Sequence, residues 1–200
     1  MIRKEYNDEK WIFPFVEYYP ENSENKKLPL VIQLHGADER GYGKDELDRV
    51  DFHGFSELLK KEYFECRVIM PQCPSNSFWV AKTESVLKFI EQLKNEFNTD
   101  EDKISLTGLS MGGYGTWYIA MAKPEIFSAI APVCGGGMAW NSAVYTMPIW
   151  VFHGATDSVV RAYHSDEMVD ELTKAGKDVK YSKVPNVNHD VWDHAYTKEL

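Results

Sequence analysis

One turn motif restricts the fold of this chain more than any other segment. Residues 107–113 read Thr-Gly-Leu-Ser-Met-Gly-Gly, after an apolar, strand-like stretch and before a helix-like segment at 114–122. G-x-S-x-G between a strand and a helix is the pattern of a nucleophile elbow. Gly108 and Gly112 fit this pattern because side chains at their positions would collide where strand and helix pass closely. The motif therefore predicts that Ser110 is an exposed nucleophile on a strained turn.

A serine hydroxyl becomes a good nucleophile when a base takes its proton and a third group orients that base. In an architecture with this elbow, the acid and then the histidine follow the serine along the chain. Asp157 follows a predicted strand at 148–153, and His189 follows a predicted strand at 179–184. About one strand–helix unit separates Ser110 from Asp157 and Asp157 from His189. The spacing predicts that all three side chains reach the same edge of a sheet.

Other residues compete for two of these roles. Asp166 and Asp190 are alternative acids, but Asp166 falls inside a predicted helix and Asp190 directly adjoins the histidine. Asp157 itself could serve as a turn or N-cap residue. His194 is the alternative base, although it lies on the predicted final helix. Loop position favours Asp157 and His189.

An oxyanion formed at the substrate carbonyl needs two backbone N–H donors. Met111 supplies one, because it stands at the N-terminus of the helix that follows the elbow. The other comes from the loop after an earlier strand in folds with this elbow. Here a predicted strand at 29–34 leads into His35, and Gly36 lets the backbone turn inward. The N–H of Ala37 is the candidate second donor.

With these residues in place, the chain resembles the α/β-hydrolases of the esterase/lipase superfamily. More narrowly, it is similar to small carboxylesterases, feruloyl-esterase-like proteins and "predicted peptidase" proteins related to polyhydroxybutyrate depolymerases. The resemblance rests on residues 35–41, 70–74, 106–117, 131–137, 153–154 and 157, within a match of roughly residues 28–195. It implies the fold, a Ser-Asp-His triad, ester hydrolysis and no cofactor. Asp38 departs from the pattern, since similar proteins often have a small residue there, and it is expected to disfavour anionic substrates.

Composition and charge exclude several kinds of partner. The 200 residues carry a net charge of −9 with no run of Lys or Arg longer than two, which argues against nucleic acid and anionic membranes. The three cysteines form no CxxC pair, and no spacing predicts a metal site. The N-terminus lacks an apolar signal core, so a cytoplasmic location is expected. The expected partner is a small-molecule ester, and the oligomeric state stays open.

The pattern of apolar residues predicts a single α/β domain over residues 1–200. We expect a mostly parallel, doubly wound sheet with helices on both faces and no insertion long enough for a large lid. The predicted elements are a hairpin within Trp11–Tyr19, with Pro14 indicating an edge or bulge, strands near 29–34, 67–70, 103–108, 127–133, 148–153 and 179–184, an apolar helical stripe at 86–97, and helices near 161–175 and 189–198. Gly176 is the expected C-terminal cap of the helix at 161–175.

Several conspicuous residues have a structural interpretation. His35 and His153 precede glycines at predicted strand ends and are expected to tie loops together, whereas His53 and His164 are expected on the surface or on helices. Cys134 is expected to be a small buried residue. Trp79, Trp140 and Trp192 follow predicted strands, so they are candidate substrate-binding residues that line an acyl pocket, with core packing as an equal alternative.

Together these features predict a serine carboxylesterase for short-chain or aryl esters, of the cinnamoyl or feruloyl type, that works through an acyl-enzyme. Two alternatives remain open. One is a serine peptidase or amidase, because the sequence does not show how a leaving amine would be protonated. The other is a non-catalytic binding module on the same fold.

Overall fold

The computed structural model describes residues 1–23 and 26–197, and an eight-stranded sheet forms its centre. Its strands are β1 (Ile2–Tyr6), β2 (Phe15–Tyr19), β3 (Leu28–Leu34), β4 (Arg67–Pro71), β5 (Thr99–Leu109), β6 (Ala129–Val133), β7 (Ile149–Gly154) and β8 (Val179–Val184), in the spatial order β1-β2-β4-β3-β5-β6-β7-β8. Strands β3 to β8 run parallel, and β1 and β2 pair antiparallel. The predicted mostly parallel sheet is confirmed, and its carboxyl edge collects the loops after β3, β5, β7 and β8.

Helices cover both faces of this sheet. They are α1 (Ser56–Leu59), α2 (Thr83–Glu96), α3 (Met111–Ala122), α4 (Tyr163–Lys174) and α5 (Trp192–Ala195), with 3₁₀ segments at 44–51, 79–82, 124–126 and 139–144. Buried residues of α2, α3 and α4 belong to one core cluster. Buried residues of the 44–51 segment, α1 and α5 belong to a second cluster. The fold therefore has the three layers that the doubly wound pattern predicts.

The amphipathic stripe of α2 shows how the pattern specifies the packing. Val86, Phe89, Ile90 and Leu93 recur at helical spacing, and all four are fully buried. The helix at 163–174 also ends as expected, because Gly176 has φ +67 and accepts the left-handed conformation that stops a helix. Local periodicity and capping thus predicted both helices within a few residues.

The start and the end of the chain differ from the prediction. The hairpin pairs β1 with β2, so it begins at Ile2 rather than at Trp11, and residues 7–14 form its connection. Strand β2 is internal, because β4 pairs with its other side; Pro14 precedes it and marks no edge. Strand β1 carries mostly charged, exposed residues and shows no apolar alternation that could reveal it. The helix expected at 189–198 is only α5, and residue 198 lies outside the described residues.

A groove of about 350 Å³ runs across one face of the sheet, on the side that carries α1. Val31, Thr107, Ala131 and Trp150 line it, and Asp178 and Lys180 stand at its rim. These positions lie along the strands rather than at the carboxyl edge, so the groove is separate from the turn at Ser110. Within the described ranges, no helix is long and apolar enough to cross a bilayer.

Candidate active site

The turn at Ser110 has the strained backbone that the glycine pattern predicts. Ser110 lies between β5 and α3 with φ 54° and ψ −114°, a backbone conformation that residues other than glycine rarely adopt. Its N–H donates to the carbonyl of Val133, 2.9 Å away. A Cβ atom on Gly108 would overlap the backbone of Gly112, and one on Gly112 would overlap the carbonyl of Leu34. Helix α3 therefore starts directly against the ends of β3 and β5.

Three predicted residues meet at this turn in one hydrogen-bonded row. The Nε2 atom of His189 lies 2.9 Å from the Oγ of Ser110, and its Nδ1 lies 2.8 Å from the Oδ2 of Asp157. Because a carboxylate only accepts, Nδ1 carries a hydrogen and donates it to Asp157, which leaves Nε2 free to accept the serine proton. The row has the geometry in which a serine hydroxyl is activated.

Backbone donors hold the acid of this row in place. The Oδ1 of Asp157 accepts hydrogen bonds from the N–H groups of Val159 and Val160 at 2.9 and 2.8 Å. Its Oδ2 faces His189 at 2.8 Å, and the Nε2 of His153 lies 3.3 Å from the same oxygen. The side chain of Asp157 is fully buried. Asp166, the alternative acid, instead accepts from Tyr181 and Lys183 on β8. The fold thus directs the carboxylate of Asp157 to His189, whereas the carboxylate of Asp166 binds side chains of β8.

The remaining competitors are not part of the row. His194 lies on α5 and Asp190 on the preceding turn, and both are exposed. His189 is the histidine that contacts Ser110. The structure thus brings together the three residues that the sequence selected, through the loops after β5, β7 and β8.

The candidate oxyanion donors belong to two segments that approach each other at Gly112. Met111 is the first residue of α3, and Ala37 lies in the loop after β3, which the close approach of Gly112 to Leu34 draws toward Ser110. Arg40 braces this loop, because its Nε donates to the carbonyl of Ala37 at 2.8 Å. The same guanidinium donates to the carbonyl of Ser77 at 3.1 Å, which ties the loop to the segment after β4.

His35 and His153 have the structural roles that were expected. The Nε2 of His35 accepts from the N–H of Cys73 at 2.9 Å, and burial lowers the pKa of His35 to about 4. His153 is buried as well, with its Nε2 2.9 Å from the carbonyl of Val160 and its Nδ1 2.7 Å from the hydroxyl of Ser165. Burial also lowers the pKa of His153. Both imidazoles are neutral at neutral pH and tie neighbouring loops together.

Cys134 lies closer to the row than its sequence context indicated. Its sulfur and one ligand atom each of Asp157 and His189 lie within 4.8 Å of one another, a grouping of potential metal ligands that the spacing along the chain does not show. Burial raises the pKa of Cys134 to about 12, so the thiol stays protonated. Asp157 and His189 are already hydrogen-bonded to each other. The grouping therefore fits a packed row better than a metal centre.

The three candidate tryptophans occupy very different environments. Trp79 does not line a pocket: it is fully buried, and its Nε1 donates to the carbonyl of His35 at 3.0 Å. This corrects the prediction for Trp79, whose large apolar surface serves the core beneath the site. Trp140 is 79% exposed on the 139–144 segment. Trp192 is half-buried, and its ring packs edge-on against His189 at 5.5 Å.

Four further residues beside the row were not selected from the sequence as site residues. On one side, the ring of His53 lies 5.6 Å from Trp192, and the Nε2 of His53 lies 3.9 Å from the Oε1 of Glu39. On the other side, the rings of Tyr114 and His164 are 6.0 Å apart. Glu39 and Tyr114 lie within the stretches 35–41 and 106–117 that carry the resemblance, which is the one sequence signal for them. His53 and His164 have no local motif, because only the tertiary fold brings them to the site.

Comparisons with known proteins agree with this fold. Residues 80–147 match the prolyl oligopeptidase family, a range that includes Ser110 but neither Asp157 nor His189. A thermostable esterase of known structure superposes with a TM-score of 0.81 at 32% identity, over 99% of this chain and 60% of its own.

Two curated relatives are similar to this protein over a smaller share of its chain. An uncharacterized secreted protein of Arthroderma benhamiae is 28% identical over 82% of this chain. A bifunctional acetylxylan esterase/xylanase of Neocallimastix patriciarum is 29% identical over 66% of it. The chain spans only about a fifth of the length of these relatives, 21% and 20%. The chain has the α/β-hydrolase fold, and its resemblance to α/β-hydrolase esterases is confirmed.

Proposed function

We propose that this protein is a serine carboxylesterase. The observation that carries the proposal is the row in which His189 contacts Ser110 at 2.9 Å and Asp157 at 2.8 Å. Ser110 Oγ attacks the ester carbonyl carbon while His189 Nε2 takes the hydroxyl proton. The resulting oxyanion accepts hydrogen bonds from the N–H groups of Ala37 and Met111.

The same residues complete the cycle. The protonated His189 gives its proton to the departing alkoxide, which leaves an acyl-enzyme on Ser110. Water then attacks the acyl carbonyl, His189 takes a proton from that water, and Ser110 is released with its proton restored. Asp157 keeps the Nδ1 hydrogen in place and stabilises the imidazolium that forms in each half of the cycle.

On the acyl side we propose short or aromatic acids. Because no large lid is predicted, we expect the nucleophile to lie in an open cleft. Tyr114, on the first turn of α3, supplies a flat apolar surface there. Each acyl methylene that stays in water forgoes about 0.8 kcal/mol of burial. The value of kcat/KM should therefore stop rising when the acyl chain is longer than a few carbons.

A series of p-nitrophenyl esters from acetyl to palmitoyl, with a feruloyl ester beside it, tests this proposal. We expect kcat/KM to peak between acetyl and butyryl, with useful activity on the feruloyl ester. A steady rise to the palmitoyl ester would contradict the open cleft, and no hydrolysis of any ester would contradict the esterase itself.

The rate should also fall toward acid pH. His189 accepts the serine proton only in its neutral form, so protonation of His189 removes the base and lowers kcat/KM. A rate that does not fall at any acid pH at which the protein stays folded would contradict this role. EDTA should leave the rate unchanged, because the proposed steps use no metal.

A serine peptidase is the second candidate, and the match to the prolyl oligopeptidase family favours it. The same row would attack an amide, but the leaving amine must then be protonated by a well-placed His189. Assaying an ester and an amide with identical acyl groups separates the two functions. Comparable kcat/KM values on both would favour the peptidase.

A further inference from the structure

We propose that Trp192 and His53, with Glu39 behind them, form a subsite for the alcohol part of the ester, and that this alcohol is a neutral, polyhydroxylated one such as a sugar. The inference rests on the proposed function and extends it from the acyl group to the leaving group. It follows from where the leaving oxygen must be and from what surrounds that place.

The leaving oxygen must come within hydrogen-bond distance of His189 Nε2, because that atom delivers its proton. Trp192 packs edge-on against the ring of His189, at 5.5 Å between ring centroids and 85° between planes. His53 continues from Trp192 at 5.6 Å, and Glu39 follows at 3.9 Å from His53. These residues form an arc that starts beside the proton donor.

The arc ends at the oxyanion loop. A Cβ atom on Gly36 would lie 3.0 Å from the Oε2 of Glu39, so this carboxyl sits directly beneath the backbone that leads to Ala37. The oxyanion and the leaving oxygen are bonded to the same tetrahedral carbon. A group that bridges His189 and the oxyanion loop therefore borders the space into which the alcohol projects.

The arc is fixed in place before any substrate arrives. The carbonyl of His53 accepts a hydrogen bond from the Nε2 of Gln33 at 3.2 Å. Gln33 is itself buried, and its Oε1 accepts from the N–H of Phe55. The side chain of His53 stays 51% exposed on this pinned backbone, so its ring is free to contact a ligand.

The chemistry of the arc suits a sugar. The indole of Trp192 offers an apolar face, and the imidazole of His53 offers a polar edge, which together match a ring that carries both C–H faces and hydroxyls. The side chain of Glu39 is more than nine-tenths buried, and its Oε2 has no hydrogen-bond partner. The neighbouring Asp38 is exposed and acidic. Burial raises the pKa of Glu39, so the exposed Asp38 and the net charge of −9 are what favour a neutral alcohol over an anionic one.

Two acetate esters test the subsite: ethyl acetate and a mono-acetylated methyl xyloside. Because a sugar hydroxyl is more acidic than ethanol and leaves more easily, the decisive quantity is how each variant changes the ratio of the two kcat/KM values. We expect the wild type to prefer the xyloside. Trp192→Ala and His53→Ala should each lower kcat/KM for the xyloside at least tenfold more than for ethyl acetate. Tyr63→Ala, which removes an exposed aromatic residue between α1 and β4, is the control and should leave the preference unchanged.

Equal losses on both esters, or a wild type without preference for the xyloside, would overturn the subsite and leave the esterase proposal standing. No hydrolysis of either ester would overturn both. Binding supplies a readout without catalysis: the Ser110→Ala variant should bind the acetylated xyloside by NMR titration, and adding His53→Ala should weaken that binding severalfold. Unchanged affinity in the double variant would contradict the subsite.

Discussion

The turn at Ser110 and the arc of Trp192, His53 and Glu39 border the same site but are built differently. At the turn, backbone atoms fix the geometry: Gly108 and Gly112 have no room for a side chain. In the arc, the partly exposed rings of His53, Trp192 and His189 contact one another at 5.5–5.6 Å between centroids. The difference shows that the reacting atoms are held by the main chain, whereas the selecting surface consists of replaceable side chains.

The largest expected effect comes from the crowded side. Gly112→Ala places a methyl group against the carbonyls of Leu34 and His35, which cannot move without disrupting β3. We expect a loss of more than ~4 kcal/mol in the free energy of unfolding, or no folding at all, measured by urea denaturation. Gly176→Ala is the matched control: its Cβ would meet nothing within 4 Å, so only the left-handed backbone costs about 1 kcal/mol. Similar losses in the two variants would contradict the steric argument.

Trp79 and Trp192 allow the same comparison between a crowded and a partly exposed environment to be made with one residue type. Trp79→Ala should cost about 3–5 kcal/mol, because it empties a fully buried site and leaves the carbonyl of His35 without its donor. Trp192→Ala should cost less than ~1 kcal/mol, because its side chain is partly in solvent. Chemical denaturation of both variants measures this difference. A larger loss for Trp192 would mean that the arc is part of the core.

The pH dependence of stability should report the buried histidine beneath the oxyanion loop. Burial lowers the pKa of His35 from 6.5 to about 4, so the unfolded chain binds a proton in this window and the folded protein does not. The free energy of unfolding should therefore fall as the pH drops from 6.5 to 4. His35→Asn should be less stable at pH 7 but lose less stability over that window. Burial also lowers the pKa of His153, so the variant should keep part of the pH dependence of stability. An unchanged slope in the variant would contradict the assignment to His35.

The smallest effect is expected at Asp38, an exposed carboxylate beside the oxyanion loop. Asp38→Asn should raise kcat/KM for an anionic ester by severalfold at low salt and leave a neutral ester of the same length unchanged. Because the Debye length shrinks to about 3 Å at 1 M salt, the difference should disappear there. A gain that persists at high salt would indicate a steric cause instead.

The sequence predicted the crowded side of the site well, because that side depends on local chemistry. Two glycines around Ser110, and an acid and a histidine after later strands, are constraints that each segment carries by itself. Strand β8 was predicted with the observed bounds, and α2 followed from its apolar stripe. In these segments, the period of the apolar residues and the tertiary packing agree.

The sequence did not predict the parts that depend on contacts between distant segments. Strand β1 lacks apolar alternation, and its Arg3 pairs with Asp48 and Asp51 far along the chain. For Trp79, which follows a strand end, the sequence left the pocket and the core as equal alternatives. The close approach of Gly115 packs α3 against its side chain and keeps it in the core. The arc around His53 likewise arises only from folding. Position after a strand thus indicates the edge of the sheet but not whether a side chain faces ligand or core.

Covalent labelling tests the central claim most directly. An activated serine hydroxyl attacks the phosphorus of a fluorophosphonate and displaces fluoride, so the intact protein should gain one adduct, located on Ser110 by peptide mass spectrometry. His189→Gln should slow the labelling by orders of magnitude, because the serine then has no base. A stoichiometric adduct on another residue, or labelling of Ser110 at the same rate without His189, would contradict the account.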